Sequence, residues 1–298
     1  MNEYQPPLAF ENHDTAEATR RTLAKSGQIG RVLYSNGKLS ADDIDRVVRL
    51  QEKLKLRFGE AAIKLRLVSA DDVKMALAEQ FSYPVAPLSG TRLDHSLTAA
   101  LRPQSRRVEA LRGLRSELML RYFDRPDRRI LPLVSTDDAD QKGALVANLA
   151  IVFSQLGAKT LLMDCNLRVP SLHRLFGSAN RLGLSDILAA RAEFHPQLCA
   201  PLDSLWLLNA GTTAPNPQEL LANNRYRDLT ATLADQFDVI LASTPSLDTN
   251  LDAQLVANRA GAALLVAQEN VTSMRKLDAA CRRLQDVGVS LLGVTLSQ

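Results

Sequence analysis

The 298-residue chain has three cysteines and four histidines, and it lacks long apolar runs and any strong charge bias. Cys165, Cys199 and Cys281 are scattered, with no pair at the spacing of a zinc site or a redox motif, so reduced structural thiols are expected. His13, His95, His173 and His195 have no partners at ligand spacing, and no metal is expected. No stretch approaches the roughly 18 apolar residues of a membrane span, and the start, MNEYQPPLAFENHD, has no basic region followed by an apolar one. A cytoplasmic protein is expected, peripheral to the inner membrane at most. Its 36 basic and 33 acidic residues leave +3, too balanced to call for nucleic acid.

What is present is an ordinary globular composition, 46% hydrophobic and 23% charged. The length suits two domains. Arg102, Arg106, Arg107, Arg112, Arg115 and Arg121 crowd one stretch, either to meet an acidic partner or anionic membrane or as a solvated helix face.

A shift of 29 residues lays Gly30 on Gly59, Ser40-Ala41-Asp42-Asp43 on Ser69-Ala70-Asp71-Asp72, Ile44 on Val73 and Gln51 on Gln80. Ser40 and Ser69 are N-cap residues, with Asp43 and Asp72 three places on to complete a capping box. Apolar residues then recur at helical spacing, Ile44, Val47 and Val48 in one copy and Val73, Ala76 and Leu77 in the other. A small helical unit over 25–90 is expected, after a flexible N-terminus over 1–24. The two prolines and the glycine of FSYPVAPLSG break the helical pattern as the exit from this unit, and 91–104 is expected as the linker.

The repeat resembles the N-terminal domain of type II secretion and pilus-assembly ATPases, in which two motifs lie five residues apart. Gly30, Leu33, Gly37, Leu39, Ile44, Val48 and Gln51 fit the first; Arg57, Phe58, Gly59, Val68, Val73, Leu77 and Gln80 fit the second. Some members bind cyclic di-GMP. The resemblance makes Arg57, Gln51 and Gln80 the candidate residues, against pure helix packing or partner docking. Gln28 stands at the first motif's Arg and Arg66 at the second motif's glycine.

From Ile130 the runs ILPLV, TLLMD, LWLLNA, DVILAS, AALLVAQ and SLLGVTL alternate with helical stretches. They predict an α/β fold, a mostly parallel sheet flanked by helices, with strands buried on both faces. Ligands bind at the carboxyl ends of such strands. After the first strand, Ser135 through Ala144 has the placement of a phosphate-binding loop, but only Lys142 keeps its chemistry. Ala139 and Gln141 take glycine positions, while Gly143 and Ala144 replace hydroxyls.

After the second strand, Asp164-Cys165-Asn166-Leu167-Arg168-Val169-Pro170-Ser171-Leu172-His173 resembles the Asp-x-Asp-x-Arg-x-Pro-Ser-Leu-His segment of bacterial tyrosine kinases of exopolysaccharide chain-length control. Asn166 takes the second acid's place. Ser243 stands where the family's strand ends in Asp-Thr-Pro-Pro. The spacing of Glu109, Arg112 and Arg115 before the first strand resembles the helix by which those kinases form rings, and makes these three the candidate oligomer interface. The family's C-terminal tyrosine cluster is missing.

The resemblance covers residues 105–298 and implies a P-loop, cell-division-ATPase-like frame. Lys142, Asp164 and Arg168 are the candidate nucleotide contacts, with no catalytic residue assigned. The bland alternatives are Lys142 in solvent at a helix start, Asp164 capping the next segment, and Arg168 paired with Asp164. The leading expectation is a non-catalytic regulator or scaffold, needing no cofactor, that docks on a membrane polysaccharide co-polymerase. An ATP- and magnesium-dependent tyrosine autokinase and a cyclic di-GMP receptor are the alternatives.

Overall fold

The computed structural model describes residues 26–80, 92–137, 140–200 and 202–297. The chain divides into two compact units, Met1–Tyr83 and Pro84–Gln298. The expected flexible N-terminus over 1–24, and the boundary at residue 90, lie outside the described residues.

The first unit is four helices: α1 (Gly27–Ser35), α2 (Ala41–Leu54), α3 (Phe58–Lys64) and α4 (Ala70–Gln80). The sequence repeat carries α1 onto α3 and α2 onto α4. Both expected capping boxes form. The Asp43 amide donates to Ser40 Oγ at 3.2 Å while the Ser40 amide donates to Asp43 at 3.1 Å; the Ser69 and Asp72 pair does the same at 3.0 and 2.9 Å. The copies are interlocked, with α1 packed on α4 and α2 on α3. Leu33, Ile44, Val47, Ala61, Ala62 and Ala76 form the shared core, each at most 1% exposed. The matched glycines are steric: a Cβ on Gly59 would lie 2.6 Å from Val73 Cγ1, and one on Gly30 3.1 Å from the Phe58 ring. At the turn ending each copy's first helix, Gly37 has φ 67° and its counterpart Arg66 has φ 56°. The left-handed turn is thus kept even where glycine is not.

The second unit opens with α5 (Thr98–Leu101) and α6 (Arg106–Leu118), which runs into a π turn over Met119–Phe123. The segment 91–104 was expected to be a linker; from residue 92 on it is folded instead. Leu97, Ala99 and Ala100 are fully buried in the main core, and Asn148 fastens the segment by accepting from the Ala99 amide at 2.7 Å and donating to the Ser96 carbonyl at 2.7 Å. Its polar neighbours hid three apolar residues that pack closely.

There follow β1 (Ile130–Ser135), α7 (Asp140–Ser154), β2 (Thr160–Asp164), α8 (Leu172–Leu175), α9 (Leu184–Leu188), β3 (Gln197–Leu198) and β4 (Leu205–Leu208). The unit closes with α10 (Pro217–Ala222), α11 (Asn224–Gln236), β5 (Val239–Ser246), α12 (Asp252–Ala260), β6 (Ala262–Gln268), α13 (Met274–Gln285) and β7 (Ser290–Ser297). The sheet order is β3-β4-β2-β5-β1-β6-β7, parallel throughout except for the β3 edge. All six expected strands are present. β3, two exposed residues, had no apolar signal to find.

Alternation sorts the strand residues to two faces, as a period of two requires. Leu131, Leu133, Leu162 and Leu241 join the core under α5, α6 and α7; Leu161, Met163 and Ile240 face the opposite cluster. Every residue from Lys142 to Gln155 is buried, so α7 is a central helix, apolar nearly all round. The expectation of burial on both faces fails at β7, an edge strand on which Val294 is 46% and Leu296 65% exposed. Among the described residues no helix is long and apolar enough to cross a membrane.

Candidate functional site

The carboxyl ends of β1, β2 and β5 meet because the three strands are neighbours in the sheet. Asp164 is in register with Ser243, and Leu133 with Ser243 on the other side. Three sequence segments that are distant along the chain therefore converge on one spot, at a position typical of ligand sites in parallel sheets. Side-chain hydrogen bonds stitch the strand ends together: Thr244 Oγ1 donates to the Leu133 carbonyl at 2.9 Å and Ser246 Oγ to the Thr136 carbonyl at 2.7 Å.

Lys142, in the first turn of α7, is only 5% exposed, and its ammonium donates to the Thr244 carbonyl. The reading of this lysine as a solvated helix start is thereby corrected. A buried ammonium must find acceptors, and here the backbone of β5 supplies one. Asp164 is 1% exposed and accepts from the amides of Asn166 at 3.1 Å and of Ser171 and Leu172 at 3.2 Å each. Burial pushes its carboxyl up to about 6, against those three hydrogen bonds and the nearby Lys142 charge. The carboxylate thus organises the turn after β2.

Arg168 does not pair with Asp164. Its guanidinium clasps Asp252 at the start of α12 through Nε at 2.8 Å and Nη2 at 3.2 Å. Asn166 spends its side-chain oxygen on the Val169 amide at 3.1 Å, closing its own turn.

Several groups at this site carried no sequence expectation. Asp137 is 14% exposed and accepts from Thr272, from Thr136 at 3.2 Å and from Lys276 at 3.4 Å. Burial raises its carboxyl, but these donors outweigh that and hold it below the usual range, so it is charged at neutral pH. Lys276 on α13 also reaches Asp248 at 3.3 Å. The available signal was the run Asp137-Asp138-Ala139-Asp140, three acids in a loop whose ordinary occupant is anionic.

Position 143 has no hydroxyl, position 166 offers an amide and position 243 a serine, while Asp137 adds negative charge beside the loop. A side chain on Gly143 would not be crowded, since its Cβ would meet Ser171 Oγ at 3.4 Å and Leu172 at 3.7 Å. Space does not account for the missing hydroxyl. Ala139 lies outside the described residues. Among the described residues no group of three or more His, Cys, Asp or Glu is placed to hold a metal.

The remaining candidates lie elsewhere. Arg112 donates to Glu109 at 2.8 Å and to the Pro103 carbonyl at 2.7 Å, and Arg115 to the Val152 carbonyl at 3.0 Å, so both arginines are engaged within the chain. Glu109 is 74% exposed. In the first unit Arg57 caps α3, its amide donating to Glu60 at 3.0 Å. Gln51 Oε1 is buried with no hydrogen-bond partner. The Gln80 side chain lies outside the description, and among the described residues no hydrogen bond joins Arg57 to Gln51.

No family model matches the chain. It is 33% identical over 205 residues to the tyrosine-protein kinase Wzc of Salmonella typhimurium, covering 67% of this chain and 28% of that protein's length. It is 30% identical over 198 residues to the putative tyrosine-protein kinase CapB of Staphylococcus aureus, covering 66% of this chain and 86% of CapB. The kinase domain of the Escherichia coli tyrosine kinase Etk superposes with a TM-score of 0.65 at 27% identity, over 74% of this chain and 91% of that domain. With most of CapB matched, and with the same fold in the Etk kinase domain, the chain belongs to the bacterial tyrosine-protein kinase family of Wzc, CapB and Etk.

Proposed function

We propose that this chain is a family member that has given up magnesium-ATP turnover and serves as a regulator or scaffold of exopolysaccharide biosynthesis and export. It would act on the cytoplasmic side of the inner membrane, docked on a polysaccharide co-polymerase, as a homo-oligomer or in a mixed one. The observation that carries this reading is the self-satisfied site. Lys142 is bound to a backbone carbonyl beside Asp164, and Gly143, Asn166 and Ser243 stand at the positions that would face the metal. The likeness of the first unit to secretion ATPases rests on the repeat alone, and in this reading it is a docking module.

The second reading is an active tyrosine autokinase. It is favoured by the names of the relatives and by the retention of Lys142 and Asp164. Incubation of the full chain with γ-labelled ATP separates the two. The regulator reading expects neither ATP hydrolysis nor phosphotyrosine above the level of Lys142→Met; turnover that Lys142→Met abolishes would establish the kinase instead.

A further inference from the structure

A pocket of about 530 Å³ opens between the loop after β2, helix α10, the loop after β5 and helix α13. It is lined by Arg168, Arg283, Gln218, Asp248, Thr249, Asn250 and Leu251. The two arginines come from different elements, and each is held in place from behind. Arg168 is clasped by Asp252, which is fully buried. Arg283 donates through Nε to Gln254 Oε1 at 3.0 Å and through Nη1 to the Leu247 carbonyl at 2.6 Å. Among the described residues, Arg168 Nη1 and Arg283 Nη2 make no hydrogen bond, so each guanidinium has donors left over.

The charges set what can enter. Arg168 is paired with Asp252, and Lys276 is shared between Asp137 and Asp248, the one carboxylate in the pocket lining. The hydrogen-bond acceptors of Arg283 are neutral, so its positive charge has no counter-ion among them. Two lining guanidiniums with spare donors against one lining carboxylate suit a single compact anion. With Asp248 already in the lining, a polyphosphate would crowd a carboxylate and is disfavoured.

We propose that this pocket is a phosphomonoester site. The phosphate oxygens bridge Arg168 and Arg283, since paired planar guanidiniums favour an anion with several oxygens. Gln218, Thr249 and Asn250 add neutral hydrogen bonds, and Leu251, 49% exposed, gives an apolar edge for the group that carries the phosphate. A phosphorylated aromatic side chain and a sugar phosphate share this chemistry. The site does not depend on whether the chain turns over ATP, so its failure and that of the function proposed above are distinguishable.

Calorimetric titration of the full chain with phenyl phosphate and with glucose 1-phosphate tests it. At least one ester should bind with Kd below about 1 mM. Arg283→Gln should weaken it by roughly tenfold or more, as for loss of a charge-assisted hydrogen bond, with cooperative melting retained. Gln218→Ala should weaken it by about twofold to fivefold. Arg168→Gln leaves Asp252 buried and unpaired, so Arg283→Gln is the deciding variant if Arg168→Gln melts early. The ester that binds more tightly names the carrier. No saturable binding of either up to about 10 mM, or equal binding by Arg283→Gln, overturns the assignment.

Discussion

Arg66 sits at φ 56°, a conformation that costs a residue with a Cβ about 1 kcal/mol and glycine almost nothing. Its repeat counterpart, Gly37, shows what the turn prefers. Arg66→Gly is expected to raise the opening free energy of the protected amides in 41–77 by roughly 0.5–1 kcal/mol, measured by native-state hydrogen exchange. An unchanged or lower value would mean that the arginine side chain makes a compensating contact. Asp164 makes a pH prediction of unusual sign. Its folded value of about 6 lies above the ordinary 3.8, so the folded state holds the proton more tightly. Its contribution is therefore most favourable below pH 4, declines as pH rises from about 4 to about 6, and is flat above. The fall is of order 3 kcal/mol as an upper figure. Subtracting the stability curve of Asp164→Asn, which cannot titrate, from that of the wild type should isolate the decline; a level difference across that window contradicts it.

At the scale of elements, the α4 cap is the most exposed to test. Ser69 and Asp72 exchange two hydrogen bonds, and Lys38 reaches Asp72 at 2.9 Å from the turn after α1. The Ser69 hydrogen bonds foremost, then Lys38, depress the Asp72 carboxyl to about 2. A depressed acid stabilises above its unfolded value and loses that contribution as pH falls from about 4 to about 2. Ser69→Ala should cost about 1 kcal/mol at neutral pH and much less at pH 2, read again by amide exchange in the first unit. Equal losses at both values would assign the effect to packing. The capping boxes were legible in the sequence because they are local, spanning four residues each. The pairing of helices was not, since a repeat specifies copies and leaves open which helix meets which.

Across the whole molecule, legibility follows the range of the interaction. Apolar runs of six or so residues announced six strands, and three degenerate motifs after those strands pointed to one spot, which the register of β1, β2 and β5 assembles. Partners that depend on tertiary placement were missed. Arg168 looked toward the nearest acid in sequence, yet binds Asp252, 84 residues away. Lys276 meets Asp137 at a separation of 139 residues. The segment from 92 to 104 read as a linker because its polar residues are local, whereas the pocket for Leu97 is built by distant elements.

The crossed pairing in the first unit has an architectural consequence. With α1 set on α4 and α2 on α3, neither 29-residue copy encloses a core of its own. The unit is one cooperative body with two half-templates, each completed only by the other. Such a body has no stable halfway state, so whatever loosens the turn at Gly37 or Arg66 is felt by all four helices together. The repeat here makes a single folded piece rather than two modules in series.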